Sequence, residues 1–287
     1  MEHAHHLGAG LLVKQEELEG LLLGLGRVAV AFSGGVDSTL VLWEAAKVLG
    51  AGNVAALTGD TLALPARELV AARELCASFG VEHVVFSTRE RQIDGFTRNP
   101  PERCYLCKDA LLRQMEEEAA KLGISCLCDG SNADDGHALR PGARAIAEHG
   151  VKSPLADAGF TKADVRAVSR AEGLRTWDKP SFSCLYTRFA HGAFLDPDKI
   201  DAVDRAEQML RALGFSNPRV RCHGTLARIE VDADEIARLA AESARGEVAA
   251  ALKEMGFSHV SLDLEGYRTG SMDAGADDAW RTSLRAM

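Results

Sequence analysis

The sequence has no apolar run close to the roughly 20 residues that a membrane-spanning helix needs, so we expect no membrane span. It also has no basic residue before Lys14, whereas a secretory signal peptide begins with a positively charged segment. Seven cysteines without such a signal favour a reducing compartment, and we therefore expect a cytoplasmic protein. We expect His3, His5 and His6 to belong to a disordered N-terminal tail.

An excess of positive charge is lacking as well. The chain carries 33 Lys and Arg against 42 Asp and Glu, a formal net charge of −9, which argues against a broad nucleic-acid-binding surface. Internal repeats and low-complexity segments are also absent. With 287 residues, 46% of them hydrophobic, the chain suits one large or two moderate domains with a sizeable core.

Two familiar glycine-rich nucleotide loops are missing. A Walker A loop needs a Lys-Ser/Thr pair, but no lysine occurs in this region before Lys47. The Gly-x-Gly-x-x-Gly spacing of dinucleotide-binding proteins is absent too. The loop that is present reads Ser-Gly-Gly-Val-Asp-Ser at residues 33–38. It lies between an apolar run at 27–32, typical of a buried strand, and a helical pattern at 39–49.

This 33–38 loop has the features of a phosphate site. Backbone N–H groups at the start of a helix are unpaired, and the helix dipole favours an anion there. Gly34 and Gly35 allow the backbone to approach a phosphate closely, and Ser33 and Ser38 add hydroxyl donors. Asp37 has two interpretations: it helps to hold Mg²⁺, or it only caps the helix.

The remaining pattern up to residue 182 alternates strands and helices. This alternation predicts an α/β fold with a doubly wound parallel sheet, whose ligand site lies at the carboxyl ends of the strands. Both the 33–38 loop and the loop at 130–135 fall at such ends. The predicted strands are 27–32, 54–58, 81–87 and 124–129, and the predicted helices are 11–25, 39–49, 65–79, 102–122 and 161–172, the last capped by Thr161.

The pattern changes after residue 182, so we predict a domain at 1–182 and a second, smaller α+β domain at 183–287. In the second domain we predict a helix at 197–213, a hairpin of 219–222 and 227–231, a helix at 233–255 with a break near Gly246, and a strand at 259–264. The end of the chain after Gly270 is polar, and we expect it to be frayed.

Four cysteines form two close pairs. Cys104 and Cys107 have metal-ligand spacing, whereas Cys126 and Cys128 lie on a predicted strand and form a weaker zinc pair. A zinc site, a redox role and simple packing therefore all remain open for these four residues. Cys76, inside a predicted helix, is expected to be a core residue.

Cys184 is different because it lies in an irregular segment that joins the two predicted domains. Loops on a rigid scaffold often carry chemistry. Lys179 and Arg188 flank Cys184 in the sequence, and cations near a thiol favour the reactive thiolate. A reactive Cys184 and an inert one are equally compatible with the bare sequence.

These segments together resemble a known family. The 33–38 loop resembles the PP-loop of the ATP pyrophosphatase superfamily, whose members cleave ATP between the α and β phosphates. With the segments at 99–108, 130–135, 140–142, 153–155, 176–180, 219–221, 226–230 and 262–272, nearly the whole chain resembles the LarE family. That family consists of ATP-dependent sulfur transferases that help to make the nickel-pincer nucleotide of lactate racemase.

The resemblance implies a reaction. ATP and Mg²⁺ serve to adenylate a carboxylate of pyridinium-3,5-biscarboxylic acid mononucleotide. Cys184 then attacks the mixed anhydride and forms a thioester. Cleavage of the Cβ–S bond gives a thiocarboxylate and leaves dehydroalanine, so the cysteine is consumed.

The resemblance also implies site residues. The loop residues Ser33, Gly34, Gly35, Asp37 and Ser38 would bind ATP. Arg219 and Arg221 alternate onto one strand face and would hold a phosphate or carboxylate, as would Arg188 beside Cys184. Glu207 and Glu230 match acidic positions near the substrate, where proton transfer or, with Asp37, metal binding is implied. In the competing interpretation, Arg219, Arg221 and Glu207 are solvated surface residues.

Several alternatives stay open. Some members of the family hold a [4Fe–4S] cluster with three cysteines, but the segment around Cys184 has only one, which favours the sacrificial type. A PP-loop tRNA thiolase would want a basic surface and paired zinc cysteines, and an amidotransferase synthetase would need an ammonia source. A non-catalytic nucleotide-binding module is the fourth alternative. We expect a homo-oligomer, with a hexamer suggested by the resemblance, and no nucleic-acid or membrane partner.

Overall fold

The computed structural model describes residues 7–137, 141–180, 182–268 and 270–272. The predicted tail with His3, His5 and His6 lies outside these residues, as does most of the predicted frayed end after Gly270. The chain forms two compact units. The first unit runs up to Thr61 and adds Ala66–Glu90 and Cys104–Phe182; the second comprises Leu62–Pro65, Arg91–Arg103 and the chain from Ser183 onward.

The first unit is an α/β layer structure with a four-stranded parallel sheet in the order β3-β2-β1-β4. Its elements are α1 Ala9–Leu25, β1 Val28–Ala31, α2 Val36–Leu49, β2 Val54–Asp60, α3 Ala66–Phe79, β3 Glu82–Ser87, α4 Arg103–Lys121, β4 Cys126–Cys128, α5 Pro141–Glu148, α6 Pro154–Asp157 and α7 Lys162–Ala171. The predicted α/β class is confirmed. The strand order reverses at β1, so the loops after β1 and β4 flank the switch point.

Helices cover both faces of this sheet. Val28 and Val30 of β1 pack into a core with α1, α2, α3 and α7, whereas Ala29, which points the other way, packs with α4 and α5. Thr161 caps α7 as predicted, because its hydroxyl accepts from Asp164 N at 3.2 Å. Two short helices, α5 and α6, are absent from the sequence prediction.

The second unit is an α+β structure with a three-stranded sheet in the order β5-β6-β7. Its elements are α8 Pro197–Ala212, β5 Arg219–His223, β6 Leu226–Glu230, α9 Ile236–Ala240, α10 Glu242–Glu254 and β7 His259–Leu262. The predicted hairpin is confirmed, and β7 joins it parallel to β6. The predicted helix break near Gly246 is wrong: the break falls at Ala241, whose extended backbone separates α9 from α10.

The register of the hairpin separates the two faces of this small sheet. Val220 lies opposite Ile229, both buried and apolar, whereas Arg219 lies opposite Glu230 on the other face. In the described residues of both units, no helix is long and apolar enough to cross a membrane.

A histidine ties two helices of the first unit together. His149 follows α5 and contacts two carboxylates of α4, Asp109 at 2.9 Å and Glu116 at 2.8 Å. Although partial burial lowers the pKa of His149, the hydrogen bonds and charges of these carboxylates raise it above its usual value on balance. The contact therefore favours the imidazolium form.

We predict that this contact makes stability depend on pH. Because the folded-state pKa is raised, the stabilisation is complete below the unfolded pKa of about 6.5 and is lost as pH rises through the folded pKa. The variant His149→Gln should lower the midpoint of thermal unfolding by about 1–3 °C at pH 5.5 and by less at pH 9. An equal loss at both pH values, measured by circular dichroism, would contradict the ionic account.

Candidate functional site

The 33–38 loop joins β1 to α2 and is closed by its own side chains. The hydroxyls of Ser33 and Ser38 lie 3.1 Å apart, and Ser38 Oγ accepts from Ser33 N at 3.3 Å. Gly34 has a φ of +68°, which favours glycine, and Gly35 is the N-cap of α2. The first backbone N–H groups of α2 therefore follow directly on a tight, hydroxyl-lined turn, as an anion site requires.

Asp37 lies in the first turn of α2 and meets two partners. Its Oδ1 accepts from Asn132 Nδ2 at 3.1 Å, and its Oδ2 forms a close ion pair with Lys162 Nζ. Asn132 belongs to the loop after β4, and Lys162 is the first residue of α7. The structure thus brings together the two loops that the sequence placed at the carboxyl ends of the strands.

The backbone of the second loop also touches the first. A Cβ on Gly130 would lie 2.7 Å from Ser38 N and 3.1 Å from Asp37 Cβ, so only glycine fits there without a shift. The loop after β4 is therefore packed against the start of α2.

Two lysines complete this cluster, and sequence reasoning did not place either of them there. Lys179 Nζ donates to Gly34 O at 2.9 Å and pairs with Glu68 at 2.7 Å. The sequence does carry a signal for Lys162. A cation in the first turn of a helix opposes the helix dipole, which makes its position unusual. Such a position is explained by its pairing with Asp37.

Cys184 belongs to the second unit and stands at the start of a short 3₁₀ helix, Leu185–Arg188. Its side chain is half-buried. Its carbonyl oxygen accepts from Thr187 N at 3.0 Å, from Thr187 Oγ1 at 2.7 Å and from Arg188 Nη1 at 3.4 Å. We call residues 183–188 the Cys184 turn. It is held by hydrogen bonds to its backbone.

Arg188 is fully buried and forms a two-pronged ion pair with Glu207 of α8. Its Nε lies 2.8 Å from Glu207 Oε1 and its Nη2 lies 3.1 Å from Oε2. The remaining Nη1 donates to Ser183 O at 3.1 Å, to Ser183 Oγ at 3.0 Å and to Thr187 Oγ1 at 2.8 Å. The guanidinium is thus directed at the protein, and its contacts shape the Cys184 turn.

Glu207 is fully buried as well, so its interpretation as a solvated surface carboxylate is wrong. It also accepts from Val220 N at 3.1 Å and from Arg211 Nη2 at 3.1 Å. Burial raises the pKa of Glu207, but the hydrogen bonds and charge of Arg188 outweigh this and hold the pKa below its usual range. The ionised carboxylate is the form that these donors stabilise.

Arg221 and Glu230 form a second buried pair on the polar face of the sheet. Arg221 donates to Glu230 Oε2 from Nε at 3.0 Å and from Nη2 at 2.7 Å, and its Nη1 reaches Thr187 O at 3.2 Å. The other oxygen of Glu230 accepts from Arg228 at 3.0 Å and from Ser271 at 2.7 Å. Both arginines of the predicted pair, Arg219 and Arg221, are buried, so their interpretation as surface residues is wrong.

Arg219 retains unused donor capacity. Its guanidinium lies 5.0 Å from the centre of the Tyr267 ring, and its Nη1 donates to Pro218 O at 3.0 Å. Its Nε is buried and has no hydrogen-bond partner among the described residues. Burial, and then the charge of Arg188, lower the pKa of Arg219 below its usual value. A buried donor without a partner is uncommon in folded proteins.

The charges around the Cys184 turn favour a ligand with negative charge. Five arginines lie here against three carboxylates, Glu207, Glu230 and Asp263. Four of the arginines form ion pairs with these carboxylates, and Arg219 interacts with Glu207 through its charge alone. Five minus three leaves two positive charges in this described cluster. The arginines are Arg188, Arg211, Arg219, Arg221 and Arg228. The polar face of this sheet can therefore accept a ligand with negative charge.

The candidate metal ligands are engaged by other groups of the protein. Glu230 and Asp37 both have their carboxylates bound by nitrogen or hydroxyl donors. Within the described ranges, His, Cys, Asp and Glu form no group of three or more with metal-binding geometry.

Five of the other cysteines lie in the first unit, whereas Cys222 is buried on β5 of the second. Cys76 is buried in the core, as predicted. Cys126 and Cys128 share one face of β4 and pack against the same core. The hydrogen bond with Cys128 lowers the pKa of Cys126 to about 7, and the same bond, with burial, raises the pKa of Cys128.

Comparisons with known proteins show clear relatives but no matching family model. The chain is 37% identical to the pyridinium-3,5-bisthiocarboxylic acid mononucleotide synthase of Lactiplantibacillus plantarum, over 92% of this chain and 95% of that protein. It is 39% identical to an uncharacterized protein of Synechocystis, over 91% and 97%. An uncharacterized protein of Methanocaldococcus jannaschii is 32% identical over 62% of this chain and 69% of its own length.

The Arg188–Glu207 pair generates a stability prediction. The variant Arg188→Met leaves a buried carboxylate without its main partner, so it should lower the free energy of unfolding by about 3–5 kcal/mol. The double variant Arg188→Met/Glu207→Leu should recover part of that loss, because both buried charges are then removed. Urea unfolding followed by fluorescence measures both effects. A loss below about 1 kcal/mol for Arg188→Met would show that the pair does not hold the turn.

Proposed function

Because this chain belongs to the LarE family of sulfur-transferring enzymes, we propose that Cys184 is its sulfur donor. The substrate that we propose is pyridinium-3,5-biscarboxylic acid mononucleotide, whose carboxylates are adenylated with ATP and converted to thiocarboxylates. The product would serve the synthesis of a nickel-pincer nucleotide. The observation that carries this proposal is the Cys184 turn, which is fixed by buried hydrogen bonds in a cluster with an excess of positive charge.

The first unit supplies the proposed ATP site. The backbone N–H groups at the start of α2, with Ser33 and Ser38, would bind the phosphates, and Gly34 and Gly35 allow their close approach. Lys162 and Lys179 place ammonium groups beside the same loop, where they pair with Asp37 and Glu68. In this arrangement a carboxylate oxygen of the substrate attacks the α phosphorus of ATP, and pyrophosphate leaves.

Asp37 fits a role as a Mg²⁺ ligand. Carboxylate oxygens are the donors that Mg²⁺ prefers. The ammonium of Lys162 pairs with this carboxylate, and Mg²⁺ would take its place on Oδ2. When bound, Mg²⁺ neutralises charge on the phosphates and on the departing pyrophosphate. Asn132, which donates to the other oxygen of Asp37, would hold the carboxylate in place.

The second unit supplies the proposed sulfur step. The thiolate of Cys184 attacks the carbonyl carbon of the adenylate, AMP leaves, and a thioester forms. Loss of the Cα proton and cleavage of the Cβ–S bond then release the thiocarboxylate and leave dehydroalanine at residue 184. Each protein molecule therefore donates one sulfur, and a second molecule serves the second carboxylate.

The arginines divide into two roles in this proposal. Arg219 and Arg221 lie on one face of β5 and would bind the substrate phosphate or its second carboxylate, with the unpartnered Nε of Arg219 as the available donor. Arg188 and Glu207 contact each other and would maintain the turn.

The direct test is intact-mass spectrometry. Incubation with ATP, Mg²⁺ and the dicarboxylate nucleotide should lower the protein mass by one H₂S, because the sulfur of Cys184 leaves with the product. Peptide mapping should locate dehydroalanine at residue 184. Cys184→Ser should show no loss, and Cys104→Ser, which changes an exposed cysteine of the first unit, should react like the wild type. Product formation with Cys184 intact and a bound iron–sulfur cluster would contradict the sacrificial mechanism.

A second variant separates the two steps. Asp37→Ala should reduce the release of AMP and pyrophosphate at least about a hundredfold, because it removes the carboxylate proposed for Mg²⁺. Cys184→Ser should retain pyrophosphate release, since adenylation precedes the thiol step. Wild-type pyrophosphate release from Asp37→Ala, measured with a coupled phosphate assay, would remove Asp37 from the mechanism.

A further inference from the structure

A backbone outlier lies within the second unit, in the segment Arg91–Arg103. Asn99 has a φ of +51° and a ψ of 57°, and it is the one non-glycine residue with positive φ among the described residues. Asparagine tolerates this left-handed conformation better than most residues, but the conformation still costs free energy. Asn99 is also fully buried. Strain of this kind at a buried polar residue points to a requirement beyond folding.

The side chain of Asn99 binds the chain that follows the Cys184 turn. Its Nδ2 donates to Phe189 O at 3.0 Å and to Ala190 O at 2.7 Å. Its Oδ1 accepts from Arg103 Nη1 at 2.5 Å. Both amide protons and the amide oxygen are therefore engaged, and the amide is oriented by its partners.

Arg103 also contacts the Cys184 turn itself. The same Nη1 that contacts Asn99 also donates to Tyr186 O at 3.0 Å, two residues after Cys184. Arg103 is 4% exposed, so these are buried, charge-assisted hydrogen bonds. We call Asn99 and Arg103 the Asn99–Arg103 clamp.

Main-chain contacts support the clamp along the same stretch. Gly192 N donates to Asn99 O at 3.0 Å, and Leu195 N donates to Thr97 O at 2.8 Å. The rings of Phe96 and Tyr186 meet edge to face with centres 5.8 Å apart. The chain from Tyr186 to Leu195 is thereby fixed on the segment that carries Asn99.

We propose that Asn99 and Arg103 are positioning residues that set the backbone of Cys184 for cleavage of its Cβ–S bond. This inference rests on the function proposed above. Thioester formation needs only the sulfur, which stands at the end of a rotatable side chain. Cleavage also needs the Cα–H bond, whose direction is fixed by the backbone of residue 184, held at φ −41° and ψ 130°.

Cleavage starts from the thioester of Cys184. Water takes up the Cα proton, and the electrons of the Cα–H bond form the Cα=Cβ double bond. The Cβ–S bond breaks with its electron pair on sulfur, which leaves as the thiocarboxylate. The reaction therefore requires the Cα–H and Cβ–S bonds to be aligned about the Cα–Cβ bond. When the bound acyl group holds the sulfur in place, the backbone of residue 184 sets this angle, so a turn that moves loses the alignment.

The test compares variants of the clamp under single-turnover conditions. Asn99→Gly removes the amide but keeps a residue that accepts positive φ, and Arg103→Lys keeps the charge but not the two-way contact. Arg98→Ala, at an exposed neighbouring arginine, is the matched control. After quenching with acid, intact-mass spectrometry measures the ratio of the thioester form to the dehydroalanine form over time.

The clamp variants should form the thioester at a near wild-type rate and convert it roughly tenfold to a hundredfold more slowly, so that the thioester accumulates. Arg98→Ala should behave like the wild type. The ratio is counted only among molecules that have already reacted, so a fraction of unfolded protein does not enter it.

Three outcomes would contradict one proposal or the other. If the wild type reacts and both clamp variants convert the thioester at its rate, the positioning role is overturned while the proposed function stands. The positioning role is also overturned if thioester formation and conversion slow by the same factor, because that result indicates a general structural effect. If the wild type forms neither species with ATP, Mg²⁺ and the dicarboxylate nucleotide, the proposed function itself is wrong.

Discussion

The buried ion pair between Arg188 and Glu207 is the interaction on which the second unit's candidate site depends. Both side chains are fully excluded from solvent, so each charge is stable there only because the other is present. The pair fixes the Cys184 turn from one side, through Ser183 and Thr187. It also covers the edge of the small sheet, since Glu207 accepts from Val220 N.

A similar use of charge organises the first unit. Asp37 follows a loop of backbone donors, and an unpaired carboxylate there would repel a phosphate. Lys162 and Asn132 bind that carboxylate, and Lys179 fixes the loop carbonyl of Gly34. In both units, then, ion pairs between charged side chains shape a loop. In the second unit the arginines also outnumber the carboxylates, and that surplus positive charge is what a negatively charged ligand would meet.

The sequence predicted the parts of the fold that follow from local pattern. The parallel sheet, the Thr161 cap and the hairpin of β5 and β6 all come from periodicity and capping. The burial of Arg219 and Glu207 could not be predicted from such local patterns, because a charged residue on a strand or helix is usually exposed. Their burial depends on partners that are distant in sequence, as the Asn99 amide does on Phe189.

The central claim is that the sulfur delivered to the substrate comes from Cys184. Isotope tracing tests it most directly: protein produced with heavy-sulfur cysteine is incubated with unlabelled ATP, Mg²⁺ and the dicarboxylate nucleotide, with unlabelled sulfide added. The account predicts that the thiocarboxylate product carries the heavy sulfur, in an amount no greater than that of the protein. A product with unlabelled sulfur, or more product than protein, would contradict it.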